Sequence, residues 1–73
     1  MTHATETVEL LVNGEPCDVP AGTTIAGLIE HLNLHGTACA VEVNRELAPK
    51  ATHADRTLSH GDAVEIVTLV GGG

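Results

Sequence analysis

Hydrophobic and polar residues alternate near the start of the chain in a pattern that is typical of β-strands. Val8, Leu10 and Val12 fall on one face of the first predicted strand, because successive side chains of a strand point to opposite sides. Asn13-Gly14 follows directly, and this pair favours a type I′ hairpin turn. The return strand contains Pro16, which has no N–H to donate to a ladder and therefore predicts an edge strand.

The apolar residues then change to a helical spacing, which predicts an amphipathic helix of about three turns. Thr23 or Thr24 offers a hydroxyl group as the N-cap, and Gly36 predicts the C-terminal stop of this helix. The apolar stripe consists of Ile25, Leu28, Ile29 and Leu32.

Alternation returns after the helix and predicts three further strands. Residues 39–43 form the first of them, and Leu47-Ala48 forms a short one. The segment 50–59 is polar except for Leu58, so it predicts an irregular loop with room for a single helical turn. Residues 63–70 form the last and strongest strand.

This order of elements predicts an α+β fold. A helix between two hairpin-like halves can bury its stripe only by lying across one face of a mixed sheet. The last strand then pairs with the first and runs parallel to it in the centre, which is the ubiquitin-like β-grasp arrangement with four to five strands and one helix. The predicted organisation is a flexible leader at 1–7, the β-grasp domain at 8–70 and a flexible glycine tail at 71–73.

Composition and charge narrow the range of partners. The chain has 73 residues, no Phe, Tyr or Trp, and ten acidic against three basic side chains, for a formal net charge of −7. Phosphate backbones and anionic membranes repel such a protein, and no aromatic ring is present on which a base could stack. We therefore expect no nucleic acid and no membrane as a partner, and we expect partners with basic surfaces. The alternative interpretation is that the charge only keeps a small domain in solution.

Candidate reactive side chains are few. Cys17 and Cys39 lack CxxC spacing, and we interpret them as reduced residues in or near the core. His31 and His35 are four residues apart, but Gly36 predicts the end of the helix there and no further ligand completes a site, so we expect no bound metal. No function is assigned to His3, His53 and His60.

Neither a membrane span nor a targeting segment is evident in the sequence. No apolar stretch is long enough to cross a bilayer. The first seven residues contain no basic region followed by an apolar run, so they do not resemble a signal peptide. The expected compartment is cytoplasmic.

The chain ends in three glycines directly after the last predicted strand. Glycine has no Cβ, so this tail is thin enough to enter a narrow channel in another protein. It reaches roughly 10 Å beyond the fold. The carboxylate of Gly73 is a poor electrophile until a partner activates it, most simply as an acyl-adenylate made from ATP. A sulfur nucleophile can then displace AMP and leave a thiocarboxylate, so the chain is expected to be a carrier rather than an enzyme, with no catalytic side chain.

Five short segments carry a resemblance to a known family, and this resemblance extends from about Val8 to Gly73. They are Val12-Asn13-Gly14-Glu15, Ala21-Gly22-Thr23-Thr24-Ile25, Val41-Glu42-Val43-Asn44, Gly61-Asp62-Ala63-Val64-Glu65-Ile66-Val67 and Val70-Gly71-Gly72-Gly73. Together they resemble the ThiS family, the sulfur carriers of thiamine biosynthesis. The chain departs from that family at Asn44-Arg45-Glu46, where Asn-Gly-Glu is common, and this departure predicts a turn looser than the type I′ form.

The resemblance implies a function and a set of partners. It implies adenylation by an E1-like adenylyltransferase of the ThiF type, sulfur from a cysteine desulfurase relay, and delivery to a thiazole synthase of the ThiG type. The positions that match the sulfur-carrying end are Gly72 and Gly73. No cofactor is expected on the carrier itself, since the adenylating partner uses the ATP. A monomer suits such a shuttling carrier.

A docking surface is predicted on the sheet face away from the helix. If the first and last strands pair, Leu11, Val67 and Leu69 share that face, and an exposed apolar patch would mark a protein interface. Scattered surface hydrophobic residues are the ordinary alternative. Val70 and Gly71, which lead into the tail, belong to the same predicted surface.

The sequence leaves other functions open. A carrier with the same chemistry could supply sulfur for molybdopterin, cysteine or a sulfur-containing secondary metabolite. A ubiquitin-like covalent modifier would end in an isopeptide bond at Gly73, and Lys50, the only lysine, would be the one site of chain growth. A plain interaction domain with an inert tail would retain its function after deletion of Gly72 and Gly73.

Overall fold

The computed structural model describes residues 6–69 and contains the predicted elements in the predicted order. The strands are β1 (Thr7–Val12), β2 (Glu15–Pro20), β3 (Cys39–Val43), β4 (Glu46–Ala48) and β5 (Ala63–Thr68). The helix α1 covers Ile25–His31, and a 3₁₀ turn covers Lys50–Thr52. β1 begins one residue before the predicted domain boundary, and residues 1–5 of the predicted leader lie outside the described residues.

The strands form one mixed sheet in the order β2-β1-β5-β3-β4. β5 lies in the centre, parallel to β1 and antiparallel to β3, which confirms the predicted pairing of the first and last strands. β2 is an edge strand, as its Pro16 predicts. Five strands and one helix in this arrangement make the fold a ubiquitin-like β-grasp.

One hydrophobic core fills the space between α1 and one face of the sheet. The strands contribute every second residue to it, and α1 contributes Ile25 and Leu28. Leu58 anchors the long loop before β5 in the same core. Burial of each aliphatic side chain contributes about 1.5–3 kcal/mol relative to exposure. The largest fully buried side chains are Leu10, Val19, Ile25, Leu28, Val41, Val43 and Val64.

α1 is shorter than the apolar spacing predicted. Thr24 is its N-cap, and the Thr24 hydroxyl accepts a hydrogen bond from the N–H of Gly27 at 3.1 Å. The helix ends at His31 instead of continuing toward Gly36, because Asn33 adopts a left-handed backbone (φ +61°). Within residues 6–69, no helix has the length and apolar character that crossing a membrane requires.

Two backbone hydrogen bonds close the C-terminus of α1. The N–H of Leu34 donates to the carbonyl oxygen of Ile29 at 3.0 Å, and the N–H of Asn33 donates to the carbonyl oxygen of Glu30 at 2.9 Å. This pattern is a Schellman motif, in which asparagine takes the position that glycine usually holds. The prediction that Gly36 ends the helix was therefore wrong.

Both tight turns of the sheet have two consecutive residues with positive φ. Asn13 (φ +51°) and Gly14 (φ +84°) match the predicted type I′ form. Asn44 (φ +51°) and Arg45 (φ +72°) adopt the same form, so the prediction of a looser second turn was wrong. The arginine accepts a left-handed backbone because the antiparallel pairing of β3 with β4 on both sides of it fixes the turn.

The two turn asparagines also bind β5 through their side chains. The amide of Asn13 exchanges two hydrogen bonds with the backbone of Ile66, accepting at Oδ1 (2.8 Å) and donating from Nδ2 (3.2 Å). On the other side, Oδ1 of Asn44 accepts from the N–H of Ala63 at 2.9 Å, and its Nδ2 donates to Asp62 at 3.0 Å. Polar side chains thus extend the ladders that hold the central strand.

His53 is buried, which the sequence did not indicate. Only 7% of its surface is exposed, and its Nε2 lies 2.9 Å from the carbonyl oxygen of Ala48. Its own carbonyl oxygen accepts a hydrogen bond from the N–H of Ala26 in α1. His53 therefore joins the polar loop both to β4 and to the helix.

Candidate functional site

β5 is the last strand before the predicted carrier tail in the sequence. β5 lies between β1 and β3, so its neighbours hold it on both sides. Beyond the strand, the N–H of Leu69 donates to the carbonyl oxygen of Ala38 at 2.8 Å, which continues the pairing of the β5 and β3 segments. The remaining predicted site positions, Val70, Gly71, Gly72 and Gly73, lie outside the described residues.

The sheet face that α1 leaves uncovered, here called the outer face, carries large exposed hydrophobic side chains. The predicted docking residues Leu11, Val67 and Leu69 all lie on this side of the sheet and are 42%, 58% and 56% exposed. Leu47 of β4, opposite Glu42, belongs to the same face and is 66% exposed. The sequence pattern did not identify Leu47, because a strand of three residues shows too little alternation to assign a face.

The register of the strands divides the predicted docking residues into two groups. Leu11 lies opposite Ala63, whereas Val67 comes four residues later in β5. At ~3.3 Å per residue of a parallel strand, the separation is about 13 Å. Glu65 occupies the outer face between the two groups and lies opposite Glu42. The three predicted residues therefore share one face, but they do not form one continuous patch.

The outer face is also acidic. Glu9 lies directly opposite Asp18, and Glu42 lies directly opposite Glu65, so two pairs of carboxylates oppose one another across neighbouring strands. Like charges in this arrangement destabilise a sheet. The three basic side chains of the chain all lie in turns and loops, at Arg45, Lys50 and Arg56. The outer face is therefore complementary to a protein surface that carries both basic and apolar side chains.

Histidines and cysteines occupy structural or surface positions. In the described part of the chain, no group of three or more His, Cys, Asp or Glu is placed to hold a metal ion. His35 lies beyond the end of α1, and its Nδ1 is 3.9 Å from Oε2 of Glu30 on an open surface. Cys17 and Cys39 are free, half-buried thiols that pack against the core, in agreement with the sequence interpretation.

Comparison with known families gives one match that covers nearly the whole chain. The model described as "ThiS family" matches residues 6–73, which includes the three terminal glycines. A solved structure, the thiamine biosynthesis protein ThiS from Geobacter metallireducens, is similar with a TM-score of 0.76 and 30% sequence identity. The similarity covers 90% of this chain and 100% of that one.

Curated relatives fall into two kinds by length. A thiazole synthase from Paramagnetospirillum magneticum is 36% identical over 66 residues, which is 90% of this chain and 20% of the relative. This chain spans about a fifth of the length of that relative and of a second thiazole synthase, from Magnetococcus marinus. The sulfur carrier protein ThiS of Escherichia coli is 24% identical over 66 residues, covering 90% of this chain and all of the relative.

Proposed function

This chain belongs to the ThiS family, and we propose that it is a sulfur carrier for thiazole formation in thiamine biosynthesis. The family match supports this function most directly, because it extends through the glycine tail to residue 73. Similarity over the full length of a solved ThiS protein adds support. The chain acts as a co-substrate of other enzymes rather than as an enzyme.

The sulfur-carrying group in this proposal is the carboxylate of Gly73. A carboxylate oxygen attacks the α-phosphorus of ATP in a partner enzyme, which releases pyrophosphate and forms an acyl-adenylate. A sulfur nucleophile then attacks the acyl carbon and AMP leaves with the bonding electrons. When the nucleophile is a donor's persulfide, the product is an acyl disulfide. A second thiol then attacks the donor's sulfur in that S–S bond, so that a new disulfide forms on the donor side and the bonding electrons leave with a thiocarboxylate on Gly73. Gly72 contributes the unhindered backbone that lets this end enter the partner.

Three kinds of partner follow from this chemistry. An E1-like adenylyltransferase of the ThiF type uses the ATP, and a cysteine desulfurase relay supplies the sulfur. A thiazole synthase of the ThiG type receives it. The last assignment is supported by the relatives named thiazole synthase, which contain a stretch similar to this chain within their own length. We place the carrier, as a monomer, in the cytoplasm, where ATP is available to the first of these partners.

The outer face near the end of β5 is the proposed docking surface for these partners. Val67 and Leu69 are exposed there, and in the sequence they precede the predicted contact residues Val70 and Gly71. Leu11 adds a separate apolar contact on the same face. A partner that binds this end of the sheet can direct the tail into the partner's own active site.

Intact mass spectrometry tests the proposal. The purified chain is incubated with the E1-like partner, ATP and a sulfur donor, and one oxygen atom of the chain should be replaced by sulfur at Gly73. A variant that lacks Gly72 and Gly73 is the control, and it should keep its fold and gain no sulfur. An unchanged mass of the full chain would contradict the proposal. A ladder of higher-mass conjugates would instead indicate a covalent modifier.

A further inference from the structure

The turn Asn13-Gly14 contains a reactive pair that the proposed function does not use. The chain has three asparagines, and Asn13 alone is followed by glycine. Both residues of the pair are exposed. A Cβ placed on Gly14 would meet no atom within 4 Å, so the turn is open to water. Because Gly14 has no side chain, its backbone nitrogen can approach the side-chain amide of Asn13 without hindrance.

The reaction that such a pair undergoes needs only water. The nitrogen of Gly14 forms a bond with Cγ of Asn13, its proton passes to the leaving group, and the side-chain nitrogen departs as ammonia. The product is a five-membered succinimide. Water then opens the ring at either carbonyl carbon and gives aspartate or isoaspartate. In total, one water molecule is consumed and one ammonia molecule is released, with no oxidant or reductant.

The folded structure opposes this reaction in two ways. Both polar atoms of the Asn13 amide are bound to β5, since Oδ1 accepts from the N–H of Ile66 at 2.8 Å and Nδ2 donates to its carbonyl oxygen at 3.2 Å. These bonds must break before Cγ can become tetrahedral. Ring closure also eclipses Cβ of Asn13 with the nitrogen of Gly14 about the Cα–C bond, which a type I′ turn, with ψ of roughly +30° at this position, does not allow.

We propose that Asn13 is a deamidation site that the fold suppresses and that opening of the β1–β5 junction exposes. That junction is short, because the parallel pairing covers only Leu11 with Ala63 and Val12 with Val64. Three backbone hydrogen bonds extend it, from the N–H of Asn13 to Val64, from that of Leu11 to Asp62 and from that of Gly61 to Glu9. Local opening of such a short ladder needs less free energy than global unfolding.

The modification weakens the junction that suppressed it. The side chain of an aspartate at position 13 has no N–H to donate and places a carboxylate oxygen against the carbonyl oxygen of Ile66. An isoaspartate adds a methylene group to the backbone and so changes the type I′ turn. β5, which leads to the C-terminal end of the chain, would then be held less firmly on its β1 side.

The test compares deamidation of the folded and the unfolded chain at the same mildly alkaline pH. Peptide mass spectrometry should show Asn13 deamidating at least about tenfold more slowly in the folded protein than in urea, equivalent to about 1.4 kcal/mol of opening free energy. Asn33 and Asn44, which precede Leu34 and Arg45, are internal controls that should react slowly in both states. The substitution Gly14→Ala should slow the reaction in urea.

A second variant links the reaction to opening. Val43→Ala removes buried volume on β3, which β5 separates from β1, and should therefore accelerate deamidation at Asn13 in native buffer. The proposal would be overturned by equal rates in folded and unfolded protein, by an unreactive Asn13 in urea, or by a Val43→Ala rate equal to that of the unsubstituted protein. None of these outcomes depends on whether the chain carries sulfur.

Discussion

Arg45 occupies a backbone conformation that its side chain disfavours. Its φ of +72° lies in the left-handed region, where a Cβ crowds the following carbonyl oxygen. Gly14 has the equivalent place in the first turn and bears no such strain. The two turns therefore form the same structure at different conformational cost, and the extra cost in the second turn comes from Arg45.

The substitution Arg45→Gly should stabilise the domain. Relief of left-handed strain is worth about 1–2 kcal/mol, and the greater freedom of glycine in the unfolded chain offsets about 0.5–1 kcal/mol of it. Urea denaturation should show a net gain of about 0.5–1 kcal/mol in the free energy of unfolding. Arg45→Ala is the matched control, since it removes the charge but keeps the Cβ, and it should give no such gain. Equal stabilisation by both variants would assign the effect to the side chain instead of the backbone.

At the scale of elements, β5 is the part of the fold on which the proposed function depends. It is held by parallel pairing to β1, antiparallel pairing to β3, and the side chains of Asn13 and Asn44. The contacts fix the strand up to Leu69, whose N–H still donates to Ala38. A firmly held strand allows partners to recognise a constant surface at the point where the tail begins.

Docking at the end of β5 predicts different effects for two leucines of the outer face. Leu69→Asp should weaken binding to the E1-like partner at least about tenfold, because it places a charge in a desolvated apolar contact. Leu47→Asp, on β4 and more exposed, is the matched control and should change affinity little. Surface substitutions usually change stability by less than about 0.5 kcal/mol, so both variants should fold. Titration calorimetry would measure the affinities, and equal loss in both would rule out docking centred on the tail.

At the scale of the whole molecule, charge determines how partners approach. The chain has a net charge of −7. On the outer face, two pairs of carboxylates lie directly opposite each other on neighbouring strands, Glu9 with Asp18 and Glu42 with Glu65. Each pair weakens the sheet by a few tenths of a kcal/mol or more. A basic partner surface would neutralise these charges, and the attraction would act before contact.

Association with the E1-like partner should therefore slow as salt is added. The double variant Glu42→Gln/Glu65→Gln should show a shallower salt dependence of the association rate, because it removes a carboxylate pair from the outer face. Glu30→Gln/Asp55→Asn removes the same number of charges from the helix and the loop, and it should keep most of the dependence. Stopped-flow measurements at several ionic strengths would compare them. Identical slopes would show that only net charge matters.

The sequence by itself determined the type and order of the elements. Alternation with period two predicted the strands, and helical spacing predicted α1. Both patterns can be read from neighbouring residues, because an element with one buried face repeats its apolar residues at its own period. Asn13-Gly14 defined the first turn, and Pro16 defined the edge strand. The chemistry proposed for Gly73 also came from the sequence, since an unhindered carboxylate requires no partner residue in its own fold.

Tertiary structure alone decided which side chains became neighbours. Alternation assigns Leu11 and Val67 to one face, but only the register of β1 on β5 separates them and places Glu65 between. Burial of His53 accompanies the hydrogen bond from the N–H of Ala26 in α1 to its carbonyl oxygen, and the left-handed backbone of Arg45 accompanies the pairing of β3 with β4. Local sequence periodicity specifies the direction in which a side chain points, whereas its neighbours depend on pairings that form only when the whole sheet assembles.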